Sequence, residues 1–224
     1  MGNSTAIASG RVRDRPFFLR VVRAVLLIVA AFTVVSEATR AVTIATGRVL
    51  IATGGVDDRL PLSSLPQLLQ ADLRDGASGT LADADLSLRL LCALPSVLHA
   101  VTIVLATVFL LRALRGIALA RPFDLFVLTS WRRLSIALLA GGVTQALADT
   151  IATTYLNTRI GLLFGAGRVT PEQQDAFLGG DYQSIGTNLP QWPVSVIVAG
   201  LVAAALTAAF RAGARLEDDV DGVV

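Results

Sequence analysis

Four long apolar stretches, separated by arginine-dense or acidic segments, constrain this chain more than any other feature. Residues 90–111 run without an Asp, Glu, Lys or Arg, residues 182–210 do the same, and two further stretches come close. An apolar run of about 18 residues or more is long enough to cross a hydrocarbon core of roughly 30 Å as a helix. The expected fold is therefore all-α and integral to a membrane. It is one domain of residues 1–224 with four transmembrane helices and a small extracytoplasmic segment, holding short β strands, between the first and second.

Composition excludes the soluble alternatives. Hydrophobic residues make up 54% of the chain and charged residues only 16%, against about 25% charged in ordinary globular proteins. All 19 basic side chains are arginine, a bias that, with the abundance of Ala, Val, Leu and Gly, points to a GC-rich bacterial genome. The sequence pI near 9.3 does not imply nucleic-acid binding, because the net charge is only +2 and the arginines sit beside the apolar segments, where membrane orientation accounts for them. The single cysteine, Cys92, excludes an intrachain disulfide and leaves any metal site without a second thiolate.

The spans are expected at residues 18–38, 90–111, 134–156 and 192–210. Short arginine-rich loops stay cytoplasmic. The arm up to Arg23 holds five arginines, and the loop 112–133 holds five more. Outside segments are then 39–89, with five arginines against seven acids in 37–89, and 157–191, with two against three. Both termini, including the tail 211–224, face the cytoplasm of a bacterial cell membrane in this reading. The first apolar run also fits a cleaved leader, with Ser36 and Ala38 as small residues near a cleavage site; an uncleaved span agrees better with the charge pattern of the other three.

Within 39–89, two strands are expected. Residues 42–53 are rich in β-branched side chains, and Ala84, Leu86, Leu88 and Leu90 alternate with Asp83, Asp85, Ser87 and Arg89. The alternative is that the first helix continues to Ala45. In the second outside segment, Thr170-Pro171-Glu172-Gln173 reads as a capping box opening a short helix, closed by Gly179-Gly180. Trp192, between Pro190 and Pro193, suits the outer interface. On the cytoplasmic side, Phe123, Phe126, Val127 and Trp131 with Arg132 and Arg133 suggest a short interfacial helix or an aromatic belt. Gly161 and Gly165 match Gly-x-x-x-Gly beyond the third span, where a turn is expected rather than a dimer face.

Ionisable residues inside a membrane are costly and mark candidate sites. Glu37, His99 and Asp149 are all placed in the outer half by a rise of about 1.5 Å per residue. Cys92, Ser96, His99, Thr102 and Ala106 share one face of the second helix; Ala137, Gly141, Gln145, Ala148 and Ala152 share one face of the third. Two readings stand. Glu37, His99, Gln145 and Asp149 form a proton or ligand site, or His99 is a neutral imidazole bonded to Asp149 or Gln145 that holds the helices together, with Glu37 paired to Arg40. A metal centre lacks a second histidine. No catalytic, cofactor or nucleotide motif is present, so neither an enzyme nor a cofactor is expected.

The loop sequence Leu114-Arg115-Gly116-Ile117-Ala118-Leu119-Ala120-Arg121-Pro122-Phe123, followed by Arg132-Arg133-Leu134, resembles an uncharacterised bacterial membrane family, domain of unknown function 2975. So does the tail from Ala209-Phe210-Arg211 through Leu216 and Glu217 to Val224. The resemblance implies four membrane helices with cytoplasmic ends and, in some members, a neighbouring helix-turn-helix regulator. The tail residues Leu216, Asp218, Asp219, Val220 and Asp221 form an acidic strip with apolar spacing suited to a basic cytoplasmic partner. The expected function is regulatory or scaffolding, through loop and tail. The second expectation is a small oligomeric transporter or channel subunit using Glu37, His99 and Asp149. Besides the lipid bilayer, partners are thus such a regulator or another cytoplasmic protein, with no direct nucleic acid.

Overall fold

Five α-helices and one two-stranded sheet make up the computed structural model, which describes residues 15–50, 58–119, 124–162 and 167–221; for 15–18, 117–118 and 216–221 only the backbone is described. The long helices are α1 (Arg15–Thr46), α2 (Leu86–Ala118), α3 (Leu125–Arg159) and α5 (Val194–Asp221); α4 (Pro171–Leu178) is short. Among the described residues, four helices are long and apolar enough to cross a membrane, over Leu19–Thr46, Leu86–Gly116, Leu125–Arg159 and Val194–Arg215. The expected spans fall inside them, except that Trp192 and Pro193 precede α5.

The helices form a row. The extensive interfaces are α1 with α2, α2 with α3, and α3 with α5. Small residues make these approaches close, as packing in lipid requires. A Cβ on Gly141 would fall 2.5 Å from Thr102 Cγ2 across α2–α3. Across α3–α5, a Cβ on Gly142 would meet Ile197 Cγ1 at 2.8 Å and one on Gly200 would meet Leu139. The same interface is tied by Ser135, whose hydroxyl donates to Gly200 C=O at 3.1 Å. Outward faces, such as Val25, Ile28, Phe32 and Val35 of α1, carry exposed apolar side chains, the composition a lipid-facing surface requires.

One end of the row carries a cap. It comprises a single 3-10 turn at Leu62–Ser64, β1 (Leu68–Leu73), α4 and β2 (Tyr182–Thr187), with β1 and β2 antiparallel. Leu62, Leu65, Leu68, Leu81, Phe177, Leu178 and Tyr182 of the cap are buried in one cluster with Ile44, Leu88, Cys92 and Leu156 of the long helices. Arg89 ties α2 to the end of α1 by donating to the carbonyls of Ala45 and Thr46 at 3.2 and 3.1 Å. These are terminal carbonyls that lack helical donors. Gly47, at φ 70°, turns the chain out of α1.

Several expectations change here. A strand does lie in the first connecting segment, at Leu68–Leu73; the described part of 42–53 holds no strand, only an isolated antiparallel bridge, Arg48 to Arg59. Residues 42–46 belong to α1, whose Ala41 and Ile44 are buried three apart on one helical face, so the alternative of a longer first helix describes them; residues 51–53 lie outside the described residues. The alternating run at Ala84–Leu90 is not a strand. Asp85 accepts from the amide of Ser87 at 2.8 Å, and α2 starts at Leu86 with Leu88, Cys92 and Ser96 buried four apart. The period of two was a short coincidence inside a longer pattern of 3.6.

The interfacial helix is likewise absorbed into α3. Asp124 caps its first turn, accepting from Phe126 N at 3.0 Å, and nothing interrupts the helix after Leu125; Phe123 lies outside the described residues. Val127 is buried, and Trp131 stacks on Phe210 of α5 with centroids 5.9 Å apart. The capping box at Thr170 and Gln173 forms as expected, and Gly179 closes α4 in the left-handed conformation at φ 73°. Gly161 is a turn residue at φ 78°, while Gly165 lies outside the described residues.

Candidate functional site

A cavity of about 110 Å³ lies where α1, α2 and α3 meet the cap, lined by Glu37, Arg40, Pro66, Gln67, Cys92, Pro95, Ser96, His99, Gln145, Asp149 and Gln191. The four residues singled out in the sequence, Glu37, His99, Gln145 and Asp149, therefore meet around one space. Helical spacing explains their contributions. Cys92, Ser96 and His99 follow one face of α2 at intervals of four and three, and Gln145 and Asp149 are one turn apart on α3. Pro95, within α2, lacks the N–H that would bond to Leu91 C=O, which loosens the helix beside the cavity.

Asp149 is the centre of the arrangement. It is 7% exposed and accepts two hydrogen bonds from outside its own helix. Gln67 Nε2 donates to Oδ1 at 2.7 Å, and the Gln191 backbone N–H donates to Oδ2 at 2.6 Å. Both donors are delivered by the sheet. Gln67 directly precedes β1, and Gln191 follows β2 by four residues. Asn188 locks the two strand ends together: its side chain donates to Pro66 C=O at 2.9 Å and Leu68 C=O at 3.1 Å, and its N–H donates to Gln67 C=O at 2.8 Å. The Asp149 carboxylate thus adds a polar tie between α3 and the cap to the apolar cluster that already joins them.

His99 does not pair with Asp149. Its Nδ1 lies 2.9 Å from Gln145 Oε1, so the tautomer protonated at Nδ1 donates to the amide and leaves Nε2 as the ring's other polar atom. This is the Gln145 branch of the expected interhelical bond. Among the described residues no hydrogen bond joins His99 to Asp149, whose two oxygens accept from the cap instead. Glu37 and Arg40 both line the cavity but form no ion pair with each other among the described residues. Pairing at i,i+3 was a local expectation; facing a shared polar space is what the two side chains do instead.

Gln67 and Gln191 were missed in the sequence. Each is an uncharged residue in a connecting segment, following Pro66 and Pro190 respectively, and no helical spacing links either to Asp149. The tail residues Leu216, Asp218, Asp219, Val220 and Asp221 lie on a continuation of α5, but their side chains fall outside the described residues.

Chemically, the cavity offers carboxylate, amide and hydroxyl oxygens with one guanidinium, and no cluster of three His, Cys, Asp or Glu suited to a metal ion occurs among the described residues. Compared with known proteins, the chain matches no family model, no curated protein and no solved structure.

Proposed function

We propose that this chain is a non-enzymatic, multi-pass protein of a bacterial cell membrane that regulates or scaffolds through its cytoplasmic face. In this reading the cap lies outside the cell and both termini lie inside. The observation that carries it is the length of α5. At about 1.5 Å per residue, its 28 residues extend for about 42 Å, well beyond a hydrocarbon core of roughly 30 Å. Arg211 and Arg215 mark the inner boundary, so the helix carries the acidic residues from Glu217 to Asp221 into the cytoplasm as an ordered rod. An acidic helix with apolar residues at three- and four-residue spacing suits a basic cytoplasmic partner, such as a small helix-turn-helix regulator. The loop and tail that resemble the uncharacterised bacterial family belong to this same surface.

Two measurements test the reading together. Reporter fusions after Ala120 and Val224 are expected to report cytoplasm, and fusions after Gly76 and Gly180 the outside. Affinity capture from mild detergent is expected to recover a basic cytoplasmic protein with the intact chain and to lose it when the chain ends at Arg211. An outside signal at Ala120 defeats the orientation, and an unchanged set of captured proteins defeats the partner.

A second reading, a small oligomeric transporter or channel subunit, draws on the cavity that gathers Glu37, His99 and Asp149. Four helices in a single row enclose no continuous path by themselves, so this reading requires assembly of several copies.

A further inference from the structure

We infer that the cavity around Asp149 binds a small monovalent cation, an alkali ion carrying part of its hydration shell. The inference rests on the membrane placement of the helices and on neither functional reading. Its first support is an oxygen with no donor. Gln67 is 2% exposed, its Nε2 is committed to Asp149, and its Oε1 has no hydrogen-bond partner although the residue lines the cavity. Buried polar groups in folded proteins find partners, and an orphaned acceptor is satisfied by a species outside the chain. An acceptor calls for a cation or a donor molecule.

Charge decides between them. Counted formally, Glu37 and Asp149 face one guanidinium, that of Arg40, which leaves a single negative charge in the cavity lining. A lone excess charge in a low-dielectric setting is strongly unfavourable without a counterion. The donors to Asp149 are an amide and a backbone N–H, both neutral, so they orient the carboxylate without cancelling its charge.

The ligand atoms select the type of ion. Gln67, Asp149, Glu37 and Ser96 supply oxygen, the ligand of hard cations. A space of about 110 Å³ holds an ion with two or so waters, at about 30 Å³ per water. Farther along the same face of α3, Thr153 Oγ1 and Asn157 Oδ1 are also buried without partners, one and two turns beyond Asp149 toward the cap. Oxygen atoms without a partner therefore recur along this face of α3.

The test uses the full chain purified in mild detergent, with tryptophan fluorescence as the readout; Trp192 is adjacent to Gln191 in the chain. Thermal unfolding is followed as sodium chloride or potassium chloride replaces N-methylglucamine chloride at constant ionic strength and pH. The expected result is a saturable rise in Tm of about 3 °C or more with at least one alkali ion, as linkage to a ligand of the folded state requires. The rise should vanish in Glu37→Gln and in Gln67→Leu. Equal Tm values for the intact chain in all three salts overturn the inference, which keeps the test decisive even where a variant does not fold. An undiminished rise in Glu37→Gln overturns it too, as does stabilisation by acidic pH with no response to either ion, which marks a proton as the occupant. Removal of the residues beyond Arg215 should leave the response intact, so failure of the partner reading and failure of the cation site are told apart.

Discussion

Replacing Gly141 with leucine is expected to separate α2 from α3 and to cost about 3 kcal/mol or more of bundle stability. A Cβ at this position falls 2.5 Å from Thr102 Cγ2 and 2.9 Å from Thr102 Cβ, and closer still to Oγ1. Thr102 has little room to yield. It is buried, β-branched, and its hydroxyl donates to Leu98 C=O at 2.7 Å. The helices must then move apart, and the bond between His99 and Gln145, one turn from this contact along both helices, is lost with them. Gly141→Ala separates two opposing effects. Helix propensity favours alanine by about 1 kcal/mol, whereas overpacking costs about 1–3 kcal/mol; a Cβ inside 3 Å of a rigid side chain makes the second the larger. Unfolding in mixed micelles by a denaturing detergent measures both variants. Thr102→Ala should restore part of the loss in Gly141→Ala, and Ala140→Leu, on the exposed face of α3, should be nearly neutral. A Gly141→Leu variant as stable as the parent refutes the contact.

Asp149→Ala is expected to loosen the cap where it meets α3, while the apolar cluster still holds it on the helices. The change leaves Gln67 Nε2 and the Gln191 N–H without their acceptor in a buried setting, at about 1–3 kcal/mol for each donor. The effect should appear as faster hydrogen exchange at β1, β2 and residues 188–191, before the long helices are affected, because the cap joins α3 here through two polar contacts. Gln67→Leu combined with Asp149→Ala should cost less than the sum of the single changes, since the two share one hydrogen bond. Additive costs show that the bond contributes nothing. A parallel cycle on His99→Leu and Gln145→Leu should give a coupling near 0.6 kcal/mol, the average for interhelical hydrogen bonds in membranes, whereas His99 and Asp149, which share no direct bond, should couple less.

Much of the polar site was legible from helical arithmetic. Depth below the membrane surface placed Glu37, His99 and Asp149 at one level, and face periodicity aligned His99 with Gln145 across α2 and α3. Arithmetic of this kind succeeds because a continuous helix has a fixed rise and a fixed rotation per residue, so position along the chain converts into position in space. It failed where the helix ended. The predicted strand at Ala84–Leu90 rested on four alternations, too few to compete with the 33-residue helix that takes over at Leu86. The His99–Asp149 branch of the expected bond rested on proximity, without the donors that the cap supplies to Asp149, and the Glu37–Arg40 pair rested on i,i+3 spacing alone.

By itself the sequence determined the elements whose causes are local: four apolar helices, the Thr170–Gln173 capping box and the glycine that closes α4. Hydropathy, caps and φ preferences act within a few residues, and each can be read where it stands. Only the tertiary structure decided that β1 pairs with β2, and that Gln67 and Gln191 close over Asp149 from 82 and 42 residues away. Those contacts join segments with no common period, and their geometry is set by how the cap folds back on the helix ends.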